Sequence, residues 1–229
     1  MPMPANAEAL PPPRRSRGSR VVWAVAGGAA AIAVVAIVAA RWTPGWYATR
    51  MAAGAAAGAD RDARRLVTTV AGLREAATRP GAWGAAIREQ EINAWLATDL
   101  ERNHAAVLPA GFSAPRVRLE PGRLRVAVRA AVGPLAGMVA FDVETRLRAV
   151  NQLECGVSAA RLGAIPLPAG PFIHRLAALL RGLGFTTELR RLDGRTVAVV
   201  SLGGRGSAIE GLTLDAGELV VAGTTVEGR

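Results

Sequence analysis

Side chains suited to acid–base, nucleophilic or metal chemistry are sparse in this chain, which has two histidines and one cysteine among 229 residues. No Cys-x-x-Cys, HExxH or carboxylate cluster has the spacing that gathers ligands around one ion, so neither a metal site nor a cofactor is expected. His174 sits beside Arg175 and one turn from Ala178 and Arg181, which suits a solvated or capping role, and His104 follows a helical segment without recognisable catalytic company. Cys155 cannot form an internal disulfide. Its alternation with Leu153 and Val157 reads as a small buried hydrophobe rather than a nucleophilic thiol. "SLGGRGSAIEG" contains G-G-x-G, but no helix pattern opens behind it as a phosphate-binding loop requires, and it reads as a flexible connection. No serine lies in a G-x-S-x-G elbow. The chemistry points away from an enzyme.

Four residues stand out as ligand-binding or structural candidates: Asn93, Trp95, Arg118 and Arg125. Asn93 is the polar residue inside an apolar helix face. It is expected to be a buried amide satisfied by sheet or loop backbone, with ligand contact as the alternative. Arg118 and Arg125 face each other if Pro121-Gly122 is a two-residue turn, an unfavourable like-charge pair. An anion could relieve it. A next turn centred on Gly133 to Ala136 would instead set Glu144 beside Arg125 and make a solvated ladder of mixed charges, the favoured reading.

The elements that position these residues begin with a hydrophobic run. Val21 to Ala40 is free of charge and long enough, at 1.5 Å per residue, to cross a hydrocarbon core of about 30 Å. Its insertion relies on Val21, Trp23, Ile32, Val34, Val35, Ile37 and Val38 among many alanines. Arg14, Arg15, Arg17 and Arg20 precede it, and only Arg41 and Arg50 lie close behind. The positive-inside rule therefore expects a single-pass anchor over 21–41 in the cytoplasmic (inner) membrane, its N-terminus inside and its C-terminal domain exported. Trp42, Trp46 and Tyr47 are expected at the outer headgroup layer. A cleaved signal peptide is disfavoured by the length of the apolar core, and a twin-arginine signal by the polar "RRSRGS".

Residues 1–20, rich in proline and polar side chains, read as a disordered cytoplasmic tail. All 28 basic residues are arginine, and beyond Arg41 there are 23 arginines against 17 acidic residues, a net charge of +6. That balance favours anionic neighbours such as lipid headgroups. Nucleic acid is not an expected partner, because the domain is exported and lacks aromatics interleaved with its arginines.

Residues 42–82 read as a juxtamembrane helix with Leu66, Val70, Leu73 and Ala77 on an apolar stripe, stopped by Arg79-Pro80-Gly81. Gly54 and Gly58 in it could pair helices of two copies or pack within the domain, the latter being the default. "IREQEINAWLATDLERN" begins a second helix with Ile92, Trp95, Leu96 and Leu100 on one face. From Pro115 the period changes to two. "RVRLE" and "RLRVAVRA" form a hairpin with Val117, Leu119, Leu124, Val126 and Val128 on one face and arginines on the other. "MVAFDVETRLRAV" and "LECGVSAARL" extend the sheet through Phe141, Val143, Leu153, Cys155, Val157 and Ala159, one face dry and one wet. "GPFIHRLAALLRGLG" forms a helix with Phe172, Leu176, Leu179 and Leu183 as its stripe, and Asp193-Gly194 joins a further hairpin. "VRLEPGRLRV" and "LTLDAGELVV" share a pattern at an offset of 95 residues, which suggests two related halves.

"EINAWLATDL", "PRVRLEPGRLRVAVRA", "AARLGAIPLPAGPFIHRLAALL" and "LDAGELVVAG" together resemble a group of bacterial single-pass envelope proteins of mostly unknown function. Their exported domain is similar to tubular lipid-binding and AsmA-like modules. The resemblance covers roughly residues 83–225. It implies a curved antiparallel sheet wrapping apolar helices, a groove that in related modules holds acyl chains, and no catalytic residues. The expected protein is thus α+β: one transmembrane helix, then an exported domain over 83–229 in which an antiparallel sheet packs on two or three helices. Its expected partners are the lipid bilayer and a lipid or other apolar ligand. A structural or assembly component that recruits envelope protein partners is the alternative. An open apolar cavity of several hundred Å³ separates the first from the second.

Overall fold

The computed structural model describes residues 35, 38–54, 57–104, 107–132, 135–202 and 206–227. Val21, Trp23, Ile32, Val34 and Ile37 lie outside the described residues, and Val35 and Val38 are exposed. Among the described residues no helix is long and apolar enough to cross a membrane. The chain divides into two units, Met1–Val38 and Ala39–Arg229. The second is an α+β domain built on antiparallel sheet.

Its order is α1 (Gly45–Gly54), α2 (Ala59–Ala76), β1 (Gly81–Arg88) and α3 (Glu89–Trp95), which continues through a π-helical turn Leu96–Leu100 to Glu101–Asn103. Then come β2 (Phe112–Glu120), β3 (Arg123–Val132), β4 (Leu135–Ala149), β5 (Gln152–Leu162), β6 (Ile165–Leu167) and α4 (Gly170–Gly182). The chain closes with β7 (Thr186–Leu192), β8 (Arg195–Ser201), β9 (Ser207–Asp215) and β10 (Glu218–Thr225). A large sheet has the order β2-β3-β4-β5-β8-β7, with β6 paired to β5, and a small sheet has the order β1-β10-β9. Two antiparallel sheets therefore stand where one was expected.

The turn residues set these registers. Pro121-Gly122 makes the two-residue connection that pairs Glu120 with Arg123, Gly122 supplying φ 66°. Asp193 and Gly194, at φ 50° and 76°, pair Leu192 with Arg195 in the twist-matched turn that strands prefer.

The dry face of the large sheet packs under α4. Val143, Cys155, Ala198 and Val200 of the sheet meet Ile173 and Ala177 of the helix, with Leu176 and Leu180 beside them. The α4 stripe is thus Ile173, Leu176, Ala177 and Leu180, not Phe172, Leu176, Leu179 and Leu183. Leu179 and Leu183 face outward, and Phe172 lies against Phe141 with centroids 5.9 Å apart. A bulge also corrects the β5 face. Asp142 pairs with Ala159 and Val143 with Val157, so Ser158 is extra and the buried series runs on through Ala160, opposite Phe141.

The other sheet face is not wet throughout. α1 covers one end of it, where Tyr47, Ala127 and Met138 form a second cluster with Trp46, Met51 and Ala140. The Tyr47 hydroxyl donates to the Ala114 carbonyl at 2.7 Å, so Tyr47 is part of the domain core, with the half-buried Trp46 packed beside it. Trp42 is exposed.

The helix expected over 42–82 is two helices, since Gly58 takes φ 107° between them and only glycine adopts such a backbone at low cost. Gly54 is buried, and a Cβ there would meet Ala97 Cβ at 3.1 Å and Arg116 Nη2 at 3.3 Å. Gly54 thus packs within the domain, whereas a Cβ at Gly58 would meet nothing within 4 Å. The helix expected from Ile87 starts at Glu89. Ile87 and Arg88 end β1, and the Glu91 carboxylate accepts the Arg88 N–H at 3.1 Å to open the helix.

Candidate apolar cleft

Each strand of the small sheet alternates, and one face gathers Trp83, Ala85 and Ile87 with Val221, Leu219, Ile209, Leu212 and Leu214 by register. Part of this face forms the wall of an open cavity of about 1020 Å³. Val70 and Leu73 of α2 line it on one side, Trp83, Ile209 and Val221 on another, and Phe185 and Leu202 at the edge of the large sheet close it. Among the described lining residues only Arg74 and Glu227 are charged. A second groove of about 740 Å³, lined by Leu66, Val67, Ala71 and Trp95, shares Val70, Arg74 and Thr78 with the first. The two adjoin along α2 as a trough of mainly apolar lining, with Glu75 also lining the second groove. The expected α2 stripe of Leu66, Val70, Leu73 and Ala77 is its wall, with Val67 and Val70 exposed rather than packed against a sheet.

Backbone and side-chain bonds hold the cleft open. The Trp83 indole N–H donates to Thr225 Oγ1 at 2.9 Å, and that hydroxyl donates to the Ala77 carbonyl at 2.9 Å, tying β1, β10 and the end of α2 together. The Trp83 ring lies over Gly223, where a Cβ would fall 2.5 Å from Cζ2 and 2.2 Å from the Ala208 carbonyl oxygen. The opposite side is set by Asn151, in the turn between β4 and β5 at φ 62°. Its amide donates to the Ser207 carbonyl at 3.0 Å and accepts the Ile209 N–H at 2.6 Å. Its own N–H donates to the Ile209 carbonyl at 3.1 Å, and its carbonyl accepts the Leu202 N–H at 2.9 Å. One residue thus fixes Leu202, just past β8 of the large sheet, and Ile209 of the small sheet, two walls of the cleft. In the sequence Asn151 shows only as an asparagine between two strand patterns, a turn signal that tolerates a left-handed backbone and says nothing of its reach to β9.

The four candidate residues do not converge. Asn93 is buried and fully engaged with backbone: its amide donates to Glu89 O at 3.0 Å and Val117 O at 2.8 Å, and it accepts the Val117 N–H at 2.9 Å. It clamps α3 to β2, helped by Glu89, whose carboxylate accepts the Leu119 N–H at 2.7 Å and pairs with Arg50. Trp95 lines the trough and lies against His104 with centroids 6.1 Å apart. His104 Nε2 in turn stands 3.4 Å from Asp99 Oδ2.

Arg118 and Arg125 are opposed in register on the far sheet face, away from the cleft. Glu120 sits 3.2 Å from Arg118 and 3.3 Å from Arg125, and Asp142 lies 3.4 Å from Arg125 and 3.5 Å from Arg123. This is the mixed-charge ladder, but with a corrected register. Val132 pairs with Leu135, so Arg125 meets Asp142 and Glu144 is shifted opposite Arg123.

Cys155 is buried in the main core, and desolvation, with a smaller contribution from the Glu154 carboxylate, pushes its thiol up to about 11. It belongs to packing rather than to the cleft. Among the described residues, no group of three or more His, Cys, Asp and Glu side chains could hold a metal ion. No family model, no curated protein and no solved structure matches this chain.

Proposed function

We propose that this chain is a membrane-anchored envelope protein that binds lipid or another apolar ligand in the trough along α2, with no catalytic role. In this reading the run over 21–41 holds it in the cytoplasmic membrane, the N-terminus stays inside, and the α+β domain stands outside. The observation that carries the reading is the open cavity of about 1020 Å³ walled by Val70, Leu73, Trp83, Phe185, Leu202, Ile209 and Val221. Ligand sites occupy about 300–1,000 Å³ and are lined mainly by apolar side chains with a few polar groups at the rim. An apolar trough of this size also agrees with the resemblance to tubular lipid-binding and AsmA-like modules, whereas a filled groove would favour a structural or assembly component.

Native mass spectrometry of the full chain extracted in detergent tests the proposal. A lipid adduct is expected on the wild type, and it should be lost in Val221→Trp, which fills the cavity, with the thermal midpoint retained. A wild type free of adduct, or a Val221→Trp variant that keeps it in full, overturns the reading.

A further inference from the structure

The leucines that α4 does not bury form a second feature of the surface. The helix packs Ile173, Leu176, Ala177 and Leu180 inward. Its outward stripe carries Arg175, Ala178, Leu179, Gly182 and Leu183 at the i, i+3, i+4, i+7, i+8 spacing of one helix face. Leu179 is 48% exposed, Leu183 59% and Phe185, just past the helix, 38%. Phe185 also lines the cleft with Val226, itself 67% exposed, so the apolar stripe is continuous with the cleft mouth.

Charge on the helix itself has one sign. Arg175 and Arg181 lie on the helix, and α4 contains no acidic residue. The side of β7 that faces the helix carries Thr187, Leu189 and Arg191. The carboxylate of that strand, Glu188, points to the other side, bonded to Arg190 at 2.8 Å. Exposed leucines flanked by arginines, on a helix that itself carries no carboxylate, match a helix that lies in the interface of an anionic bilayer, apolar side chains among the acyl chains and guanidinium groups among the headgroup phosphates, with Glu227 set at the cleft mouth beyond it.

We infer that the outer face of α4, with Phe185, docks on an anionic lipid surface and presents the cleft mouth to it. This goes beyond the proposed ligand binding and rests mainly on separate residues, because Leu179, Leu183, Arg175 and Arg191 are not cleft walls, while Phe185 belongs to both.

The test places an environment-sensitive fluorophore on Ala178→Cys in the full chain, the buried Cys155 being a poor competitor for the label. One arm reconstitutes the protein in phosphatidylcholine discs and adds vesicles of either phosphatidylglycerol or phosphatidylcholine, and the other builds phosphatidylglycerol into the discs themselves. A blue shift is expected wherever phosphatidylglycerol is present and not with phosphatidylcholine alone. Leu179→Asp/Leu183→Asp should abolish it, and Arg175→Glu/Arg191→Glu should weaken vesicle affinity roughly tenfold or more. No shift in either arm, an equal shift with phosphatidylcholine, or an undiminished shift in the aspartate pair overturns the inference. Lipid adducts measured on the aspartate pair by native mass spectrometry should be unchanged, which separates failure of docking from failure of ligand binding.

Discussion

Gly122 and Gly217 each bond to the other's hairpin. The Gly122 N–H donates to the Leu214 carbonyl at 3.0 Å, and the Gly217 N–H donates to the Leu119 carbonyl at 3.1 Å. The carbonyls match as well: Gly122 O accepts the Thr145 N–H at 3.3 Å, and Gly217 O accepts the Glu89 N–H at 2.8 Å. Leu119 and Leu214, both buried, hold equivalent places in the 95-residue repeat of the sequence. Each hairpin pairs its second strand with a third, β3 with β4 and β10 with β1, so β2-β3-β4 and β9-β10-β1 are related by a local two-fold at the turns.

Replacing either glycine by alanine should destabilise the domain by about 1–2 kcal/mol, because φ is 66° at Gly122 and 82° at Gly217 while the space around both is open. The double variant should depart from additivity, since each turn supports the other's strand. Denaturant midpoints of the two single variants and the double variant check both statements.

Asn93→Ala should cost about 3 kcal/mol in unfolding free energy, as it leaves the buried Val117 N–H without its side-chain acceptor. Asn93→Asp keeps an acceptor for that N–H but turns a carboxylate toward the Glu89 and Val117 carbonyls. Its loss should therefore be partly recovered as pH falls and the carboxyl regains a proton. Chemical denaturation at two pH values reads out both.

Gly223→Ala should destabilise by about 1–3 kcal/mol, the usual range for overpacking, because the new Cβ meets the Ala208 carbonyl and the Trp83 ring. Gly211→Ala, in the neighbouring strand, meets only Ala222 Cβ at 3.5 Å and should be near neutral. A comparable loss at both sites would contradict the fixed position of Trp83.

Cys155 should resist thiol reagents at pH 8 until the domain unfolds. Its pKa is raised in the folded state, to about 11, so its contribution is full below the ordinary thiol pKa and fades as pH rises toward 11. The stability gap between wild type and Cys155→Ala should narrow by about 2–3 kcal/mol over that alkaline window.

Much of the large sheet is legible in the sequence because its strands alternate cleanly and its turns carry Pro-Gly and Asp-Gly. The stripe of α4 is not, since "FIHRLAALLRGL" offers apolar side chains on two faces, and only the sheet beneath decides which is buried. β1 escapes notice because "GAWGAAIR" has few large side chains to set a period and its partner is distant. Asn93 is readable as a buried backbone-bonded amide. The cleft is not, for its walls come from α2, both sheets and the Asn151 turn, and no local period reports how they converge.

The pairing of β1 with β10 has a consequence for the timing of biogenesis. Trp83 and Thr225, joined by a hydrogen bond at the end of that ladder, are 142 residues apart. At synthesis rates of about 5–20 residues per second, β1 is made on the order of 7–30 s before the strand that completes it. During that interval its hydrogen-bonding edge has no native partner. The first strand of the domain is thus among the last to be secured, and whatever escorts the nascent chain must keep that edge from finding another.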